Sequence, residues 1–209
     1  MAEAMPQRTE QEERNAGQEK RRVFSIKHNK DMAKDTITIT LYKSELVYEV
    51  QNKTYLTGRS RQTGDNHEEV ANMQANDDEE NANQILRSLG NAFATLKTKL
   101  SEYLEESGTS ANDAQMGGTG NLIVALKVPS NFNKATNDTL AAALHQYLVN
   151  TAIGDWFTIT NKSDAEDYIT LAAANLQQIR EAMNKRVRPT RTNPTSAPTN
   201  GTSETSGNL

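Results

Sequence analysis

Asp35-Thr-Ile-Thr-Ile-Thr-Leu-Tyr-Lys-Ser-Glu-Leu-Val-Tyr-Glu-Val50 changes period in its middle, and that change decides the fold class. Over its first half the residues alternate strictly. Ile37, Ile39 and Leu41 point one way and Thr36, Thr38 and Thr40 the other, which predicts a half-buried strand. From Ser44 the spacing lengthens to that of a helix. Ser44 fits an N-cap and Glu45 complements the dipole of the first turn. Leu46, Val47, Val50 and Thr54 follow on one side, and Gly58 is a natural stop. A hairpin with residues 45–50 as its second strand is the competing reading.

Further along, the strand-then-helix order recurs. Residues 60–76 are polar and lack a face. Ile85, Leu86, Leu89, Phe93, Leu96, Leu100, Tyr103 and Leu104 then step by threes and fours, predicting a helix of about 28 residues with Asp77 to Glu80 at its start. Leu122, Val124, Leu126 and Val128 alternate up to Pro129 as a second strand. It is apolar on both faces and therefore expected to be the more central one. A helix follows from Thr136 to Ile153, closed by Gly154, with Leu140, Ala143, Leu144, Tyr147 and Leu148 inward. Asp155 to Thr160, carrying the only tryptophan, reads as an extended connector. Ser163 and Glu166 form a capping box for a last helix lined by Tyr168, Ile169, Ala172, Leu176, Ile179 and Met183. The expectation is an α+β domain, predominantly helical, with about four helices packed on a small sheet. Leu144, Leu148, Trp156, Phe157, Tyr168 and Phe93 are the candidate structural core.

The flanks differ. Residues 1–35 are a charged N-terminal arm, and residues 187–209 are rich in Thr, Asn and Pro. Neither can offset a chain-ordering cost of about 1–2 kcal/mol per residue by burying apolar surface, so both are expected to be disordered alone and arm-like on a partner. Between them lies a folded region, 36–186. Its halves, 36–106 and 121–186, are joined by a Gly/Ser/Thr-rich loop at 107–120.

Across its 209 residues the chain is 35% hydrophobic and 24% charged, below the apolar share of an average globular protein, as two polar arms require. Its net charge is −4 and it has no cysteine, which excludes disulfide scaffolds, thiolate metal sites and cysteine nucleophiles. The longest charge-free stretch, Thr139 to Gly154, is too short to span a bilayer, so no membrane contact is expected.

Chemistry-bearing patterns are scarce. His28, His67 and His145 are scattered, without metal-ligand spacing. Asp77, Asp78, Glu79 and Glu80 point in different directions on a helix, which suits dipole complementation better than a cation site. Gly117-Gly118-Thr119-Gly120 precedes a strand, whereas a phosphate loop must open a helix. No cofactor or metal is expected, and nothing argues for an enzyme. The charge layout says more: residues 36–179 carry −8 and residues 180–209 carry +3. Arg180, Lys185, Arg186, Arg188 and Arg191 are therefore the candidate contacts to an acidic partner or nucleic acid.

Two stretches carry a resemblance. They are Ile37 to Val50 continuing through Thr54-Tyr-Leu-Thr-Gly58, and Trp156-Phe-Thr-Ile-Thr-Asn-Lys-Ser-Asp-Ala-Glu-Asp-Tyr168 continuing to Asn184-Lys-Arg-Val-Arg-Pro189. Together they resemble small virion structural proteins of tailed phages and prophages of gut Bacteroidetes, over residues 36–58 and 121–189. The resemblance implies a non-enzymatic neck, connector or head–tail joining subunit. It would sit at the portal junction of the virion, ring-forming with copies of itself, often twelvefold, against portal or other neck and tail proteins. Packaged DNA could meet its basic arm. The long charged N-terminal segment and the Thr/Asn-rich tail depart from that pattern. Two other readings stand beside it: a soluble adaptor or regulator, and a nucleic-acid-associated protein acting through the basic arm.

Overall fold

The computed structural model describes residues 34–105 and 120–189. The expected N-terminal arm up to residue 33, most of the 107–120 loop, and the C-terminal arm from residue 190, with Arg191, lie outside the described residues.

Strand β1 (Lys34–Leu41) is followed by helices α1 (Lys43–Ser60), α2 (His67–Met73) and α3 (Glu79–Lys99). After strand β2 (Leu122–Pro129) and a 3-10 turn (Lys134–Thr136) come α4 (Asn137–Thr160) and α5 (Lys162–Asn184). The fold is α+β and mostly helical, as the alternation of periods predicts. The strands pair antiparallel from Lys34 opposite Pro129 to Leu41 opposite Leu122. Ile39, Leu41, Val124, Leu126 and Val128 are buried from one face of the sheet, while the threonines of β1 face out. On its other edge β2 meets Leu104, where the Glu105 N–H reaches the Ala125 carbonyl at 3.0 Å. β2 is therefore the inner strand, flanked on both sides.

Helix α4 is the axis of the molecule. It is apolar nearly all round, so it has to be covered on several sides. Leu140, Leu144, Leu148, Val149, Ile153 and Phe157 are fully enclosed. The helices α1 and α3 cover one side, while α5 folds back along the other as an antiparallel hairpin partner. Of the candidate core, Leu144, Leu148 and Phe157 have no exposed surface, whereas Trp156, Tyr168 and Phe93 pack against the core half-buried.

Several boundaries correct the expectations. Among the described residues there are five α-helices, because the polar stretch before Met73 holds α2, whose Val70 and Met73 are buried. Asp155 to Thr160 is not an extended connector but the last turns of α4, and Gly154 lies inside that helix. The cap of α5 is Asn161, whose side-chain oxygen accepts from the Ser163 N–H at 3.2 Å, so Ser163 sits within the first turn. Likewise Tyr42, not Ser44, precedes the first turn of α1, and the helix runs past Gly58 to Ser60. The long helix ends at Lys99, because Tyr103 and Leu104 leave it to pair with β2.

Gly58 and Gly154 are close-approach positions rather than stops. A Cβ on Gly58 would lie 3.2 Å from the Val70 carbonyl oxygen of α2, and one on Gly154 would lie 3.2 Å from the Ile169 side chain of α5. Their lack of a Cβ lets neighbouring helices touch backbone.

Candidate functional site

Helix α5 ends at Asn184, where the chain turns extended and is stitched back to the body. Phe132 and Arg186 form a β-bridge. The Asn133 N–H donates to the Lys185 carbonyl at 3.1 Å, and the Val187 N–H to the Asn131 carbonyl at 2.8 Å. Phe132 is buried beneath this strap and holds its floor in the core. The turn that receives the strap directly follows β2, whose last residue, Pro129, faces Lys34 at the start of β1. Consequently Lys34 and Val187, near the first and last described residues, lie at one pole.

The predicted basic residues divide there. Arg180 and Lys185 share a shallow groove with Gln177, Glu181 and Asn184. Arg186 turns back instead, donating to the carbonyls of Met183 at 2.7 Å and Lys185 at 3.3 Å. It thereby caps carbonyls at the C-terminus of α5, where a cation is favoured. Arg188 is exposed beyond the strap. Lys134, which the sequence did not single out, joins this pole and lies 3.4 Å from Asp35. The pole is thus cationic on an otherwise acidic body, and its exposed ammonium and guanidinium groups suit carboxylates or phosphates.

Two further polar clusters tie helices together. Glu49 on α1 accepts from Gln146 at 2.8 Å and Lys53 at 2.9 Å, and meets His145 Nε2 at 2.7 Å. Burial by itself pushes the Glu49 carboxyl up, but hydrogen bonds from Gln146, Lys53 and His145 outweigh it and hold the carboxyl at about 2. At the start of α5, the buried Asp164 accepts from Arg61 and, at 2.9 Å, from Asn161. Each cluster joins α1 or its C-terminal end to the α4–α5 hairpin. Among the described residues no three His, Asp or Glu side chains converge as a metal site, and no helix is long and apolar enough to cross a membrane.

The sequence reading missed the Glu49–His145 contact. The partners stand 96 positions apart, and no local pattern signals them. It also followed only the buried face of α1. The opposite face exposes Tyr48 and Tyr55 two turns apart, with Leu56 beside them, a pattern that was legible in the sequence.

No protein-family model matches the chain, and neither a curated protein nor a solved structure shows significant similarity to it.

Proposed function

We propose that this protein is a non-enzymatic assembly subunit, specifically a ring-forming neck or connector protein at the head–tail junction of a tailed phage virion. The observation that supports this reading is the common pole, where Lys34 and Val187 flank the turn 129–133. A subunit whose two extensions leave together can send both toward one neighbour while its helical body stays rigid. In a closed ring each subunit presents one surface to the next and a different one to the last, which suits a body whose first and last described residues share one pole. The resemblance of residues 36–58 and 121–189 to small phage virion proteins points the same way.

Light scattering on the full chain and on a chain lacking residues 190–209 tests the proposal. That truncation spares the hydrogen bond from the Val187 N–H of the strap to the Asn131 carbonyl. The expected result is a large closed oligomer, alone or on adding a portal-type ring, that is lost or weakened by the truncation. A small species indifferent to every capsid and portal component would refute it.

The cationic pole supports a second reading, contact with nucleic acid. If Arg180, Lys185, Arg188 and Arg191 each neutralise a phosphate, log affinity should fall against log salt with a slope of about −3 to −4. A salt-independent or undetectable interaction would remove that reading.

A further inference from the structure

The outer face of α1 carries a pattern that the described residues leave uncovered. Glu45, Tyr48, Asn52, Tyr55 and Arg59 recur at steps of three and four, directly opposite the buried Leu46, Val50, Thr54 and Gly58. Leu56 lies beside them. Tyr48 is 66% exposed and Leu56 54%, large apolar surfaces for a helix that elsewhere packs well. Tyr55 is already oriented: its hydroxyl accepts from Arg59 at 2.7 Å, with the guanidinium 6.0 Å from the ring centroid. Aromatic residues fixed in this way bind at low entropic cost and are enriched at protein interfaces.

The order of residues along the stripe identifies what covers it. An acid stands at one end, a base at the other, and an amide in the centre. We propose that this face pairs with a second copy of itself, the two α1 helices antiparallel about a two-fold axis passing near Asn52. In that register Glu45 faces Arg59 of the second copy, Tyr48 faces Tyr55 and Leu56, and Asn52 faces Asn52. Both charge pairs are satisfied, the apolar groups meet, and the central amides hydrogen-bond one another. A buried polar residue at the centre of a helix pair fixes register at a cost in stability. A parallel pairing would set Glu45 on Glu45 and Arg59 on Arg59, which the charges disfavour. The stripe extends about 21 Å over four turns. One helix face of that length buries less than the roughly 1,200–2,000 Å² of a standard interface, so the dimer is a weak one with Kd on the order of 10–100 μM. The pairing is isologous. It makes no use of the polar arms and stands apart from the head-to-tail contacts of a ring.

The chain has no cysteine, so single cysteines report the geometry directly. Full-length protein carrying Asn52→Cys is expected to oxidise to a disulfide-linked dimer, whereas Glu45→Cys alone is expected to form no disulfide, because position 45 faces position 59. Sedimentation equilibrium supplies the second measurement. Glu45→Arg should weaken dimerisation by about tenfold, and the double variant Glu45→Arg/Arg59→Glu should restore it, since the exchange keeps the ends complementary. These positions are exposed, so the variants should keep the far-UV spectrum of the native fold. A wild-type chain that remains monomeric at 1 mM, on the order of ten times the weakest Kd expected, overturns the pairing. So does cross-linking of Glu45→Cys as fast as Asn52→Cys. Large assemblies unaffected by Glu45→Arg overturn this face and leave the ring proposal intact. A dimer weakened about tenfold by Glu45→Arg, in a protein that ignores portal-type partners, supports the face and sinks the ring.

Discussion

Gly58 and Gly154 both stand inside helices, and alanine at the two positions is expected to move stability in opposite directions. Replacing a helical glycine by alanine gains about 0.5–1 kcal/mol from reduced freedom of the unfolded chain and better helix propensity. What the new methyl group meets decides the sign. At Gly154 the nearest atom is the Ile169 Cγ1 at 3.2 Å, and the backbone atoms, Ile169 N at 3.7 Å and Ala165 O at 3.9 Å, lie at ordinary contact distance. Ile169 is 55% exposed and can rotate outward, so Gly154→Ala should stabilise by about 0.5 kcal/mol. At Gly58 the methyl group meets the Val70 carbonyl oxygen and Gln74 Cγ, both at 3.2 Å. That carbonyl belongs to α2, which cannot slide away. Its last residue accepts the Trp156 indole N–H through the Met73 carbonyl at 2.9 Å, and the Ala75 N–H donates to the buried Thr54 hydroxyl at 3.2 Å. Overpacking of this kind costs about 1–3 kcal/mol, so Gly58→Ala should destabilise by about 1–2 kcal/mol after the propensity gain. The two variants should therefore differ by about 2 kcal/mol, or roughly 1 M in urea midpoint for a slope of about 2 kcal/mol/M. Equilibrium urea unfolding followed by far-UV circular dichroism and by the single tryptophan measures both. Equal destabilisation, or a Gly58→Ala protein more stable than wild type, would show that the account of α2 as a pinned helix is wrong.

Three other outcomes follow from the same contacts. Phe157→Ala should cost about 3–5 kcal/mol and Ile159→Ala under about 0.5 kcal/mol in the same urea assay. Phe157 is fully buried with its ring 5.5 Å from that of Tyr168, and Ile159 is 73% exposed; comparable losses would instead favour an extended segment that points both the same way. Glu49 has its carboxyl held at about 2 instead of 4.5, so the stability it contributes is complete above pH 4.5 and is lost as the pH falls toward 2. Because about a quarter of that side chain still meets solvent, the contribution should be about 1–2 kcal/mol; a Glu49→Gln protein whose acid unfolding overlays the wild type would contradict this. Trp156→Phe should cost about 1 kcal/mol by leaving the Met73 carbonyl without its indole donor. Calorimetry reads that loss as a drop of about 2–4 °C in Tm, and an unchanged transition would mean that the hydrogen bond contributes nothing.

What was legible in the sequence was what repeats along one element. The two alternating strands were placed with their correct faces, and the long helices were found with Leu140, Leu144, Leu148, Ala172 and Ile179 inward. Glycine misled twice, because the lack of a side chain that ends a helix also lets a neighbour pack against one. Asp155 to Thr160 misled because its Thr, Ile and Phe favour strands, and because α4, apolar on every side, offers no face whose periodicity could be followed through Gly154. Tyr103 and Leu104 continue the spacing of α3 yet belong to the sheet, since β2 needed a partner on its second edge. Of the candidate contacts, Arg180 and Lys185 do share a groove, while Arg186 caps its own helix. The common pole could not be read at all, since it depends on the register of β1 with β2 and on the bridge between Phe132 and Arg186.

The distance along the chain between the paired strands sets the order in which the protein can be made. Lys34 is synthesised 95 residues before its partner Pro129, and Leu41 is synthesised 81 residues before Leu122. At about 5–20 residues per second, the first strand emerges about 5–20 s before the second exists. During that interval Ile37, Ile39 and Leu41 form an unpaired, strand-prone edge on a nascent chain. The alternating threonines make one of its faces wettable, which lowers the chance that two nascent chains join through this segment. Helices α1 to α3 can form locally while they wait. The sheet can close only once β2 has been made, and the bridge between Phe132 and Arg186 only after α4 and α5 have followed it, so the strands can meet before the helix that forms the axis of the core exists.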